Sequence, residues 1–162
     1  YMNEFRVHVE LTLYKTPFII KMLNACEKQK RITYERIHHN TLEHILSNQI
    51  IPMKRRHIFW NEIKNMIMHL HNINIYHGDF KAKNIMVDET QRLLLCDYDL
   101  SKLNCSNEEK KDDRKKMTYM FYQLYLVREN DTHHWPYNNT NKDYRNGEQI
   151  YDGGYEYFLE KK

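Results

Sequence analysis

The segment from residue 53 to residue 97 constrains this chain more than any other part of it. Ile58, Phe59, Ile63, Met66, Ile67 and Leu70 recur at spacings of three and four, which predicts a helix over 53–73 with one broad apolar face. His77-Gly78-Asp79-Phe80-Lys81-Ala82-Lys83-Asn84 follows. Two short apolar runs come next, 85–87 and 93–96, with a polar turn at 89–92 between them. Runs of that kind predict a strand pair. The hairpin so formed brings three oxygen-bearing side chains together: Asp79, Asn84 five residues on, and Asp97 thirteen residues after that.

The rest of the chain supplies smaller elements. Residues 18–26 and 31–37 read as two strands, made an antiparallel pair by the charged turn Glu27-Lys28-Gln29-Lys30. His38-His39-Asn40 is a linker, and Thr41 is placed to cap a short helix containing Leu42, Ile45 and Leu46. Residues 3–15 carry two patterns at once. Phe5, Val7, Val9, Leu11 and Leu13 alternate with polar residues, as in a strand, while Phe5, Val9 and Leu13 also fit a helix at spacing four. The local pattern favours the strand. Lys54-Arg55-Arg56 stands at the unfavourable end of the 53–73 helix dipole and reads as a solvated face. A second helix is expected over 113–127, with Met117, Met120, Phe121, Leu124 and Tyr125 on its apolar side. From residue 130 aliphatics are few. A loop-rich tail is expected there, pinned to the body by Trp135, Tyr151, Tyr155 and Phe158.

The set His77-Gly78-Asp79, Asn84 and Asp97-Tyr98-Asp99 resembles, in residue type and spacing, the HRDxxxxN and DFG motifs of protein kinases. The resemblance runs from about residue 4 to about residue 127. It implies an α+β, protein kinase-like fold: a partial N-lobe over 1–37 with a helix C-like segment and two strands, a minimal, mostly helical C-lobe over 38–128, and a tail over 129–162. On this resemblance Asp79 is the base that accepts the proton of the incoming hydroxyl, and Lys81 sets a positive charge near the transferring phosphoryl group. Asn84 and Asp97 hold Mg²⁺ or Mn²⁺ with ATP. Tyr34-Glu35-Arg36-Ile37 is similar to the hinge that meets adenine through its backbone. Leu70-His71 resembles the close of the helix before the catalytic loop. Asp113 is similar to the buried Asp that hydrogen-bonds that loop, although a helix cap is an equal reading for it. The same resemblance makes 3–15 a helix, with Glu4 and Glu10 as its candidate acids, against the local alternation.

The chain also departs from that pattern. Gly78 replaces an Arg that pairs with an activation-loop phosphate, so activation of that kind is not expected. Asp99 replaces a Gly, in a place where Asp adopts Gly-like backbone angles only at a cost. The next helix is expected to begin at Asp113, too soon for a long activation segment, and no Ala-Pro-Glu follows. HGD followed by Lys81-Ala82 and Asp97-Tyr98-Asp99 resembles the vaccinia-related type of atypical serine/threonine kinase most, and the KEOPS-type kinase next. Lys81 favours a protein substrate. No Gly-rich loop and no strand Lys stand before Pro17. The chain opens on Tyr1 rather than Met, so it reads as part of a longer product with those strands upstream.

Other classes fit less well. A net charge of +3 with Lys and Arg dispersed among acids does not indicate nucleic acid. No apolar run is long enough to span a bilayer. Three cysteines without CxxC spacing indicate free thiols in a reducing, cytoplasmic compartment, which would be the host cytoplasm if the Asn- and Lys-rich composition reflects a viral genome. His38-His39 and His133-His134 lack ligand spacing and read as surface residues. The expected activity is transfer of the ATP γ-phosphoryl group to a protein hydroxyl. The alternatives are an inactive kinase mimic that binds a kinase or complex partner, and a small-molecule kinase of the aminoglycoside or choline type.

Overall fold

The computed structural model describes residues 1–38 and 40–125. In chain order the elements are α1 (Met2–Leu13), β1 (Met22–Cys26), β2 (Arg31–Tyr34), α2 (Leu42–Asn48) and α3 (Met53–Asn72). There follow β3 (Ile75–Tyr76), a 3₁₀ turn (Ala82–Asn84), β4 (Ile85–Val87), β5 (Leu93–Leu95), β6 (Lys102–Leu103) and α4 (Asn107–Tyr125). The strands pair only locally: β1 with β2, β3 with β6, and β4 with β5, all antiparallel. The predicted tail at 129–162 lies outside the described residues.

The first segment is a helix, not a strand. Its buried stripe is Val7, His8 and Leu11, at spacings of one, three and four, whereas Leu13 is 70% exposed. The buried stripe is therefore not the Phe5–Val9–Leu13 set: Val7 and Leu11 come from the alternating set, stand four apart, and are selected as a helix face by packing against the rest of the fold. The strand expected over 18–26 is regular only from Met22. Before it, Leu95 N–H donates to Phe18 O at 2.7 Å and Ile19 bridges Leu95, which docks this stretch on the β4–β5 hairpin. β2 likewise stops at Tyr34, short of the predicted 37.

α3 and α4 form the main core. Phe59, Trp60, Ile63, Met66, Ile67 and Leu70 on α3 are buried, as are Met117, Met120, Phe121 and Leu124 on α4. The Trp60 and Phe121 rings meet edge to face at 5.1 Å. Each side chain of this size removed from water contributes roughly 1.5–3 kcal/mol. Ile58, expected on this face, is 38% exposed, and Trp60 takes the buried place two positions on. The basic run is not simply solvated. Arg56 donates to Ile51 O and Leu124 O at 2.8 and 2.7 Å, tying the start of α3 to α4. Arg55 lies over the Phe59 ring and donates to Gln91 O.

Two caps set the helix starts. Thr41 Oγ1 accepts from His44 N–H, as its position suggested. α4 begins six residues before the predicted 113, because Ser106 and Glu109 form a reciprocal capping box: Glu109 N–H donates to Ser106 Oγ, and Ser106 N–H donates to Glu109 Oε2. Asp113 is therefore inside a helix and not its cap. The three cysteines are free thiols. Among the described residues no helix is long and apolar enough to cross a membrane.

Candidate active site

α3 ends at Asn72, Asn74 turns the chain with a positive φ of 57°, and β3 delivers His77. From there every backbone polar group as far as Asp79 has a side-chain partner. His77 N–H and Gly78 N–H donate to the two carboxylate oxygens of Asp113 at 2.9 and 3.1 Å. His77 O accepts from Ser101 Oγ at 2.8 Å, and Gly78 O accepts from Lys116 Nζ at 2.6 Å. Asp79 N–H donates to His77 Nδ1 at 3.2 Å, and Asp79 O accepts from Asn84 Nδ2 at 2.9 Å. The loop has no freedom left to satisfy its backbone another way. Asp113 is fully buried and also meets His71 Nε2 at 3.2 Å.

Gly78 has φ +84°, and a Cβ placed on it would lie 2.4 Å from Leu100 O. The residue is glycine for steric reasons as well as conformational ones. An Arg side chain at this position is excluded by the same contact.

Asp79 carries its two side-chain partners on one oxygen. Lys81 Nζ and Asn84 Nδ2 both reach Oδ2, at 2.6 and 2.9 Å. Burial pushes this carboxyl up, but the Lys81 ammonium and Asn84 amide outweigh it and hold the group below its ordinary range. The second oxygen, Oδ1, has no protein partner among the described residues. The 3₁₀ turn, closed by Asn84 N–H on Lys81 O at 2.9 Å, folds Asn84 back over Asp79. Asn84 commits its amide hydrogens to Asp79, which leaves its Oδ1 for another ligand.

β5 returns the chain to the same place. Cys96 N–H donates to Asn84 O at 3.0 Å, so Asp97 emerges beside Asn84, exposed and with φ 67°. Its neighbour Cys96 has a thiol pushed up to about 11 by burial and by the Asp97 charge, which makes it unreactive at neutral pH. The strained angle anticipated at Asp99 falls instead on Asp97. Buried His77, held neutral by desolvation, meets Cys96 O through Nε2 at 3.2 Å and joins the two loops. Tyr98 is buried against His77 and His8, with ring centroids 5.2 and 6.2 Å away.

α1 closes this end of the site. Asn3 Nδ2 donates to Asp99 O and Ser101 O at 3.2 and 2.6 Å. Of the two candidate acids on α1, Glu4 is the one in the site: Tyr34 Oη donates to its Oε1 at 2.7 Å. Burial raises the Glu4 carboxyl and the Asp99 charge adds to it, against the Tyr34 hydrogen bond. Tyr34 therefore spends its side chain on α1. Glu35 pairs with Lys21 through its N–H and its carboxylate. Arg36 and Ile37 make no backbone hydrogen bond among the described residues.

A family model described as the protein kinase domain matches residues 1–130. The chain belongs to that family. It is similar over 99 residues, at 24% identity, to the serine/threonine-protein kinase YPK1 of Saccharomyces cerevisiae, which covers 59% of this chain and 15% of that protein. It is 30% identical over 88 residues to the cyclin-dependent kinase-like 2 of Oryctolagus cuniculus, covering 49% and 15%. It is 27% identical over 108 residues to the serine/threonine-protein kinase sck1 of Schizosaccharomyces pombe, covering 65% and 16%. The chain thus spans about a sixth of the length of these curated relatives. Its α+β architecture, a helix with a strand pair beside a mostly helical body, fits a partial kinase domain.

The donor set fits the divalent ion that the kinase family uses. Asn84 offers a free amide oxygen and Asp97 an exposed carboxylate, both hard oxygen donors, which suits an ion that keeps waters and takes phosphate oxygens as further ligands. No group of three or more His, Cys, Asp or Glu among the described residues forms a self-sufficient metal site. Two groups in this kinase-family chain carried no local signal in the sequence. Ser101 and Lys116 complete the loop's hydrogen bonding from 24 and 38 residues away.

Proposed function

We propose that this chain is the catalytic part of an ATP-dependent protein kinase of serine/threonine type. The observation that carries the reading is the Asp79 carboxylate, fixed on one oxygen by Lys81 and Asn84 and open on the other. In this reading Asp79 Oδ1 orients the acceptor hydroxyl and takes its proton as the phosphoryl group moves. Lys81, already on Asp79 Oδ2, faces the transferring group with its charge. Asn84 and Asp97 would hold Mg²⁺ or Mn²⁺, which when bound neutralises phosphate charge. The open edge at Arg36 and Ile37, with Tyr34 and Glu35 leading into it, receives adenine. HGD and DYD support the atypical, vaccinia-related or KEOPS-like subtype, and the free thiols support a cytoplasmic setting.

The competing account is a kinase mimic that docks on a kinase or complex partner. The test is ATP turnover by the full-length gene product on casein-like proteins, with amino-alcohols and sugars run beside them. Transfer to protein, reduced about a thousandfold by Asp79→Asn, is the expected result. Turnover on the small molecules alone would move the assignment to a small-molecule kinase. No turnover, or no response to Asp79→Asn, leaves the mimic.

A further inference from the structure

The Gly78–Asp79 peptide is gripped at both edges. Its carbonyl accepts from Lys116 Nζ at 2.6 Å, and its N–H donates to His77 Nδ1 at 3.2 Å. A planar peptide held on both sides cannot rotate, so the Asp79 Cα leaves it in one direction. The preceding peptide is gripped by Asp113 through Gly78 N–H. Asp113 and Lys116 are three residues apart on α4 and share a face. Glycine contributes no side chain to restrain itself, and at φ +84° it has the widest choice of alternatives.

Lys116 is itself fixed. Its Nζ lies 2.6 Å from Asp112 Oδ2 and 3.3 Å from Tyr76 Oη, and 5.4 Å from the Tyr76 ring centroid. Tyr76 Oη donates in turn to Asp112 Oδ2 at 2.5 Å. Burial would lower the lysine, but Asp112 and Tyr76 outweigh it and hold the ammonium charged. Its bond to Gly78 O is charge-assisted and correspondingly strong.

We propose that Lys116 is a positioning residue for Asp79, acting through the Gly78 carbonyl and assisted by Tyr76 and Asp112. The proposal rests on the phosphotransferase reading for its kinetic consequence and not for its structural one. Lys116 sets the direction of a carboxylate it does not touch, so its loss affects turnover more than nucleotide binding.

The test compares Lys116→Met and Lys116→Arg with the wild-type full-length product by kinetics and by amide hydrogen exchange. Lys116→Met is expected to lower kcat about tenfold with the KM for ATP changed less than about twofold, and Lys116→Arg to recover most of the loss. The Asp79 amide is expected to exchange about tenfold faster in Lys116→Met, with the α3–α4 core unchanged. Unchanged exchange at Asp79, or an increase spread evenly over the chain, overturns the proposal. A wild-type protein without turnover removes the phosphotransferase reading, and the exchange comparison then decides positioning by itself.

Discussion

Asp113 Oδ1 accepts the amide proton of Gly78 at 3.1 Å across 35 residues of sequence, and the catalytic loop hangs from α4 by that bond and its companion to His77. Asp113→Ala would leave two buried backbone donors and the His71 ring without their acceptor. The expected loss is about 3 kcal/mol or more, because each orphaned donor keeps its desolvation cost. Urea denaturation measures it. A loss below about 1 kcal/mol would mean that water replaces the carboxylate and that the loop does not depend on it.

Gly78→Ala tests the glycine separately. The added Cβ meets the Leu100 carbonyl at 2.4 Å, and alanine at φ +84° is strained whatever the space. Destabilisation of about 2–4 kcal/mol is expected, together with a fall in kcat as Leu100 and the segment after Asp97 are displaced. Gly78→Arg is expected to behave no better. An alanine variant with wild-type stability and turnover would show that this turn relaxes freely.

Much of this was legible in the sequence, and the limits have physical causes. The α3 face and the β4–β5 hairpin announce themselves because their periodicity is local. Thr41 does so because capping needs only a hydroxyl and the right offset. Asp79 and Asn84 meet through a single 3₁₀ turn, so their spacing sufficed. The first helix was ambiguous because Phe5, Val9 and Leu13 belong to both periodicities, and tertiary packing decided for a helix that buries Val7 and Leu11 instead. The start of α4 was hidden by its charged first turns, which carry no apolar period, although Ser106 and Glu109 form a recognisable cap. Ser101 and Lys116 act across 24 and 38 residues, and no local pattern marks such partners. Glu4 could be told from Glu10 only when the position of Tyr34 was known.

Burial holds His8 and His77 neutral, with both groups lowered from the ordinary histidine range. The sign follows from proton uptake. Below about pH 6.5 the unfolded chain binds protons at these positions and the folded chain does not, so stability falls as the pH drops through that region. His8 is 1% exposed, and neither ring nitrogen has a partner among the described residues. Its ring packs on Tyr34 and Tyr98, contacts that a phenyl ring can keep. His8→Phe is therefore expected to be more stable by about 1 kcal/mol at pH 5.5 and to show a shallower decline between pH 7 and 5.5. Superimposable pH curves for the two proteins would refute the assignment.

The Glu4–Tyr34 hydrogen bond joins α1 to the end of β2, where the open edge begins, at 2.7 Å. Tyr34→Phe removes the donor and is expected to cost about 1 kcal/mol. In a double-mutant cycle with Glu4→Ala, which removes the acceptor, the two residues should couple by at least about 0.5 kcal/mol, whereas Glu10→Ala, six residues on and on another face of α1, should not couple to Tyr34. The charge on Glu4 adds a pH signature. Its folded carboxyl is raised, by burial first and by Asp99 next. The folded state therefore favours the protonated form, and that contribution is present at low pH and lost as the pH rises through the folded value. Relative to Glu4→Gln, the wild type should gain stability as the pH is lowered from 7 through the folded value to the ordinary glutamate range. A difference that stays constant over that range would place Glu4 in water, away from Asp99, and would break the link between α1 and the segment after Asp97.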